Sequence, residues 1–390
     1  MNRYLPEPLY FGEPACFGWL HRAQRAAAGL PVLICGPLGA EDLSAHTLLR
    51  QAAEALAARG LPCLRFDPAG SGDSAPLEPQ TDAVAAALAS LHAAIQALRA
   101  ATGAPRVALL GLALGATLAA LAASRREDVA AVAAWVPVVS GRAMLREWKM
   151  LGAAGLPSVL HPDGSLESGG FHYSAATCEA LSALSLLLPL ARPAARMLVI
   201  DRADLPGAGP WCQALANSGV ALDEATLPGF EGLMAVPHLV VQPQAMLDRA
   251  VDWLLQVSQQ LAPAAAPLLA LPPPGVMDLC VDGRAVRERA LRLGGAGHEP
   301  ALFALRTDRV GVSSLAPRTA VLMLNTGAER RIGPHGQFVA LARRWAAQGS
   351  LVLRLDLAGL GDSPAREGES AQQVYPAKAL ADMACAVRYL

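Results

Sequence analysis

Apolar positions along this chain alternate between two rhythms. Residues 31–35 form a short unbroken apolar run, too short for a helix and suited to a strand buried on both faces. Leu48, Leu49, Ala52, Ala53 and Leu56 follow at helical spacing, and Gly60 stops that helix. Residues 61–66 predict the next strand and the alanine-rich stretch 81–101 the next helix. Then come a strand at 107–110, a sharp turn at 111–115, a helix at 116–123 and a strand at 129–136. Residues 197–200 and 245–255 predict a later strand and a last helix. Strands alternating with helices predict an α/β class, with a mainly parallel sheet covered on both faces.

Part of this pattern occurs twice. "HTLLRQAAEALAARGLPCLRFDPAGSGDS" begins at His46, and "HGQFVALARRWAAQGSLVLRLDLAGLGDS" begins at His335, without a gap at an offset of 289. Gly60/Gly349, Arg65/Arg354, Asp67/Asp356, Gly72/Gly361, Asp73/Asp362 and Ser74/Ser363 coincide. Upstream, "PVLICGPLGAE" matches "AVLMLNTGAER", and both are preceded by stretches that predict β-hairpins. Repetition on this scale predicts a tandem duplication. The proline- and alanine-rich 261–275 reads as a linker between a domain at 1–260 and a second at 276–390. At that offset Leu390 corresponds to Ala101, so the second copy is expected to stop halfway, as a truncated and marginally stable piece.

Gly111-Leu112-Ala113-Leu114-Gly115 has the frame G-x-S-x-G, with alanine in the middle. With "GPLG" after one strand and "DPAGSGDS" after the next, the order of elements resembles the α/β-hydrolase fold. More narrowly, these motifs resemble the bacterial hydrolase-like proteins associated with exosortase A and exopolysaccharide gene clusters. The resemblance implies a serine acyl hydrolase ancestry, with nucleophile, acid and histidine in that order. Ala113 stands at the nucleophile position, and a methyl group cannot attack a carbonyl. Asp204 is the acid candidate, with Asp201 as rival; either also reads as a loop residue or helix cap. Where the family places its histidine, this chain has Phe230-Glu231-Gly232, and His238 follows as a weaker histidine candidate. Glu231 there offers a carboxylate for a cation or a base. The implied oxyanion donors are the N–H groups of Leu114 and Leu38, since Pro37 has none. Asp67 and Asp73 read as turn-fixing residues rather than paired catalytic acids. Residues 138–196 are the expected lid, with helices in "RAMLREWKML" and "SAATCEALSALSLLL". Trp148, Met150, Phe171 and His172 either line its pocket or simply pack.

Net charge is −1, with neither a basic excess for nucleic acid nor a charged tail. The seven cysteines are dispersed without a C-x-x-C pair, which suggests reduced core thiols, no structural zinc and a cytoplasmic setting. The N-terminus lacks the apolar core of a signal peptide. The apolar stretch 107–123 is explained by strand, turn and helix without a membrane span. No cofactor motif is complete. Three functions follow: a ligand-binding or supporting domain without catalysis, taking a small hydrophobic or acyl ligand; an esterase or thioesterase whose serine was changed to alanine or whose chain is incomplete; or a protein-interaction scaffold. Oligomeric state stays open.

Overall fold

The computed structural model describes residues 5–24, 29–151, 158–261, 275–295, 300–311 and 319–390. The expected linker falls almost wholly outside them. Two units form: Met1–Glu7, Phe11–Met234 and Val241–Leu271 make the first, and Pro8–Tyr10, Ala235–Val240 and Pro272–Leu390 the second.

The chain opens with β1 (Glu7–Phe11) and β2 (Cys16–His21). Next come β3 (Val32–Cys35), α1 (Ala40–Ala58), β4 (Cys63–Phe66) and α2 (Ala83–Thr102). Asp82 caps α2 by accepting from the N–H of Val84 (2.8 Å) and Ala85 (3.1 Å), and Gly103 closes it in the left-handed region at φ 68°. β5 (Val107–Leu112), α3 (Leu114–Ala123) and β6 (Val129–Trp135) follow. β5 reads as an unbroken apolar run because it is buried on both faces, between β3 and β6. The stretch weighed as a membrane span is thus β5, a turn and α3. By length and composition alone, α2 is the one described helix able to cross a membrane.

Beyond β6 the chain makes α4 (Gly141–Leu151), β7 (Ser158–Leu160), β8 (Leu166–Ser168), β9 (Phe171–Tyr173) and α5 (Ala175–Ala183). β7, β8 and β9 form a small antiparallel sheet that the sequence did not announce. α5 is also shorter than its apolar pattern: Leu184 turns extended (ψ 129°), and Ser185 bridges back to Ser140. β10 (Arg196–Arg202), α6 (Gly209–Asn217), β11 (Ala221–Leu227), α7 (Phe230–Leu233) and α8 (Gln244–Leu261) complete the unit. The sheet order is β1-β2-β4-β3-β5-β6-β10-β11. β2 and β4 are antiparallel, and every pair from β4–β3 to β10–β11 is parallel. The loops at the C-terminal ends of β3, β5, β6, β10 and β11 therefore share one edge of the sheet.

The second unit contains β12 (Val276–Val281), β13 (Arg284–Gly294), β14 (Ala301–Arg309), β15 (Ala320–Met323), α9 (Gln337–Ala347), β16 (Leu351–Leu355) and α10 (Ala379–Tyr389). Asp282 and Gly283, both at positive φ, make the two-residue turn between β12 and β13. The order is β12-β13-β14-β16-β15, parallel only at β15–β16. Among the described residues β15 is an edge strand, with a neighbour on one side. Leu293, Leu302, Leu353, Leu355 and Ala386 pack into a core between sheet and α10. Met323, Ala342 and Val352 form another under α9.

All seven cysteines are free thiols. Cys16, Cys35, Cys63 and Cys212 are buried as expected, but Cys280 on β12 is exposed.

Candidate functional site

The junction of β5 and α3 is a strained turn. Ala113 adopts φ 50° and ψ −122°, a region an L-residue with a Cβ rarely enters, yet it is only 2% exposed. Its N–H donates to the Trp135 carbonyl at 2.9 Å, which pins the turn to β6. The flanking glycines are steric necessities. A Cβ on Gly111 would fall on the Ala116 backbone, and one on Gly115 would fall on the carbonyl oxygens of Cys35 and Gly36. That second contact brings the loop after β3 against the first turn of α3. Leu114 opens α3, where an N–H has no intrahelical acceptor. Among the described residues neither the Leu114 nor the Leu38 N–H meets a protein acceptor.

At the end of β10 two aspartates take different work. Asp201 is buried and accepts from the N–H of Arg202 (2.9 Å), Gly207 (2.8 Å) and Ala208 (2.8 Å), which ties the loop to the start of α6. Asp204 is engaged by Arg202, whose Nε lies 3.1 and 3.0 Å from its two carboxylate oxygens. Hydrogen bonding from that guanidinium holds Asp204 below the usual carboxylate range. Arg202 in turn lies over the Phe230 ring, 4.8 Å from its centroid. Phe230 is buried at the first position of α7, behind Gly229 at φ 110°. Glu231 is exposed, and with Asp204 and Glu147 it adds to the negative surroundings that raise Arg202. His238 is exposed on the connection between α7 and α8. The structure therefore gathers Asp204, Phe230 and Glu231 around Arg202, a residue the sequence pattern did not single out.

The small sheet of β7, β8 and β9 sits against the loop after β3. A Cβ on Gly39 would strike the Tyr173 hydroxyl, and one on Gly169 would lie 2.9 Å from the Ala40 Cβ. Trp148 of α4 packs on Tyr173 with ring centroids 4.7 Å apart. Trp148 is buried and Phe171 half-buried, whereas His172 and Met150 are exposed. Glu41, in the first turn of α1, has its Oε2 enclosed without a hydrogen-bond partner among the described residues. Burial, and then the Glu147 charge, push its carboxyl up to about 7, against a smaller opposing pull from Arg202. Tyr173 is also raised, mainly by burial and then by Glu41. No cluster of His, Cys, Asp and Glu suited to a metal occurs among the described residues.

The chain matches no curated protein. Residues 45–183 match the family described as Serine aminopeptidase, S33, a span running from α1 to the end of α5. Among solved structures, proline iminopeptidase of Mycobacterium smegmatis is similar over 66% of this chain and 99% of its own, at 17% identity and a TM-score of 0.46. Est1E from Butyrivibrio proteoclasticus is similar over 64% of this chain and 98% of its own, at 14% identity and a TM-score of 0.45. The esterase domain of a Rhodothermus marinus protein covers 64% of this chain and 98% of its own, at 18% identity and a TM-score of 0.45. Strand order, the turn at Ala113 and the match over residues 45–183 together give the first unit an α/β-hydrolase fold.

Proposed function

We propose that the first unit holds a ligand at the turn between β5 and α3 without forming an acyl-enzyme. The observation that carries this reading is Ala113 itself, buried at φ 50° with a methyl group where an attacking hydroxyl would have to be. The rest of the edge fits. Asp204 is taken by Arg202, and Phe230 fills the loop position where the family resemblance leads one to expect a histidine. The N–H groups of Leu38 and Leu114 are left to donate to a carbonyl or carboxylate oxygen of a small hydrophobic or acyl ligand. The ancestry is that of a serine acyl hydrolase, and the narrower kinship is with the exosortase-associated hydrolase-like proteins.

A tandem duplication with a second, partial copy belongs to the same proposal. Its support is a loop made twice. The Phe17 and Phe303 N–H groups donate to Ser74 and Ser363 Oγ at 2.8 Å each. Those hydroxyls donate to the Asp67 and Asp356 carbonyls at 2.6 Å each. The Asp73 and Asp362 N–H groups donate to the Asp67 and Asp356 carboxylates at 2.9 and 3.0 Å.

Ala113→Ser, treated with a fluorophosphonate and assayed on short and medium acyl esters and thioesters, tests the main reading. The expected result is neither labelling nor turnover. Labelling of that variant would reveal a working histidine and acid, overturn the reading and favour an esterase disarmed at one residue.

A further inference from the structure

The lid closes on the loop after β3 through small residues. Tyr173 seats its hydroxyl against Gly39, Gly169 seats against Ala40, and Trp148 backs Tyr173. Glu41 follows Gly39 and Ala40 directly and lies at this contact. It is half-buried as a residue, but its Oε2 is sealed and without a partner among the described residues. Three elements present titratable or charged groups to it. Glu147 comes from α4, Tyr173 from β9, and Arg202 from β10 with its charge already engaged by Asp204 and influenced by Glu231. Asp42 neighbours it on α1 itself. A carboxyl so enclosed is compatible with the docked lid as the neutral acid. Ionised, it is a poorly solvated anion beside a second carboxylate.

We propose that Glu41 is a proton-operated latch: the β8–β9 hairpin stays docked on the loop after β3 while Glu41 is protonated and loosens when it ionises. The proposal concerns the lid alone and stands whether or not the turn at Ala113 binds a ligand. With the lid docked, the Glu41 carboxyl sits at about 7 rather than its ordinary 4.5. Opening hydrates it and returns it towards the ordinary value. The docked form thus binds the proton more tightly. It is fully favoured below about 4.5, loses ground up to about 7, and loses no more above that. The lid-opening constant is expected to rise by up to about 300-fold across that window.

Hydrogen exchange of the β8–β9 backbone amides, corrected for intrinsic rates and followed from acid to pH 8, reads this directly. The wild type is expected to lose protection there as pH rises, while β5 and α3 stay protected. Glu41→Gln is expected to abolish the dependence and keep the lid docked. Glu147→Gln removes the neighbouring like charge and is expected to shift the midpoint to lower pH. A flat wild-type profile, or a dependence that persists in Glu41→Gln, would overturn the latch. Should Glu41→Gln fail to fold, an unshifted midpoint in Glu147→Gln would overturn it equally.

Discussion

Ala113 keeps a backbone conformation from which it draws no visible benefit. A Cβ at φ 50° costs on the order of 1–3 kcal/mol, whereas glycine enters that region freely. Ala113→Gly is therefore expected to raise stability by about 1 kcal/mol, after subtracting about 0.5–1 kcal/mol for the greater freedom of glycine when unfolded. Ala119→Gly, in the buried interior of α3, is the control and is expected to lose about 1 kcal/mol. Urea midpoints separate the two, and equal losses at both sites would refute stored strain. The two aspartates of β10 and its loop divide in the same way. Asp201→Ala strands the N–H groups of Gly207 and Ala208 and is expected to cost about 2 kcal/mol. Asp204→Ala breaks an ion pair at the surface and is expected to cost less than about 1 kcal/mol. A larger loss at Asp204 than at Asp201 would mean that the Arg202 cluster, and not the α6 tether, holds this edge together.

Among elements, what the apolar rhythm reached and what it missed have a common cause. β3, β5, β6 and β10 are buried runs of apolar residues, and Gly60 follows α1, so periodicity and one stop signal found them. β11 is an edge strand on which the adjacent, oppositely facing Asp223 and Glu224 are both exposed, so burial left no trace in its composition. β7, β8 and β9 have three residues each, too few for any period. At the site, the glycines around Ala113 were legible because steric demands fix residue type. Arg202 and Glu41 were not, because Phe230 over Arg202 and Glu147 and Tyr173 beside Glu41 lie far away in sequence. The loops 67–74 and 356–363 were legible twice over. In the second, Asp356→Ala strips one carboxylate from Arg331, fully buried between Asp356 and Asp362, and is expected to cost about 3–5 kcal/mol. A loss below about 1 kcal/mol by chemical denaturation, the range of a surface pair, would contradict this account of the second loop.

At the scale of the molecule the two units rest on different interactions. The first packs its central strands on both faces with apolar residues. The second seals charges inside: Glu288 accepts from Arg343 (2.7 Å) and Arg354 (2.9 Å), and Arg366 pairs with Asp382. Buried ion pairs of this kind add little net stability, because desolvation offsets their attraction, yet losing one partner is costly. The second unit also leaves apolar surface exposed, with Leu380 72% and Val387 61% exposed on α10, and among the described residues β15 has a strand neighbour on one side alone. It is therefore expected to be the weaker unit. Limited proteolysis of the whole chain should cut first within 319–390 and leave the first unit as a resistant fragment. Glu288→Gln sharpens the test, since it leaves two guanidinium groups facing a neutral amide in a dry site. It is expected to lower the stability of the second unit by about 3–5 kcal/mol while the first unit's unfolding stays in place. A second unit that resists protease as well as the first, or a variant in which both unfold earlier together, would show that the buried charges are not what limits it.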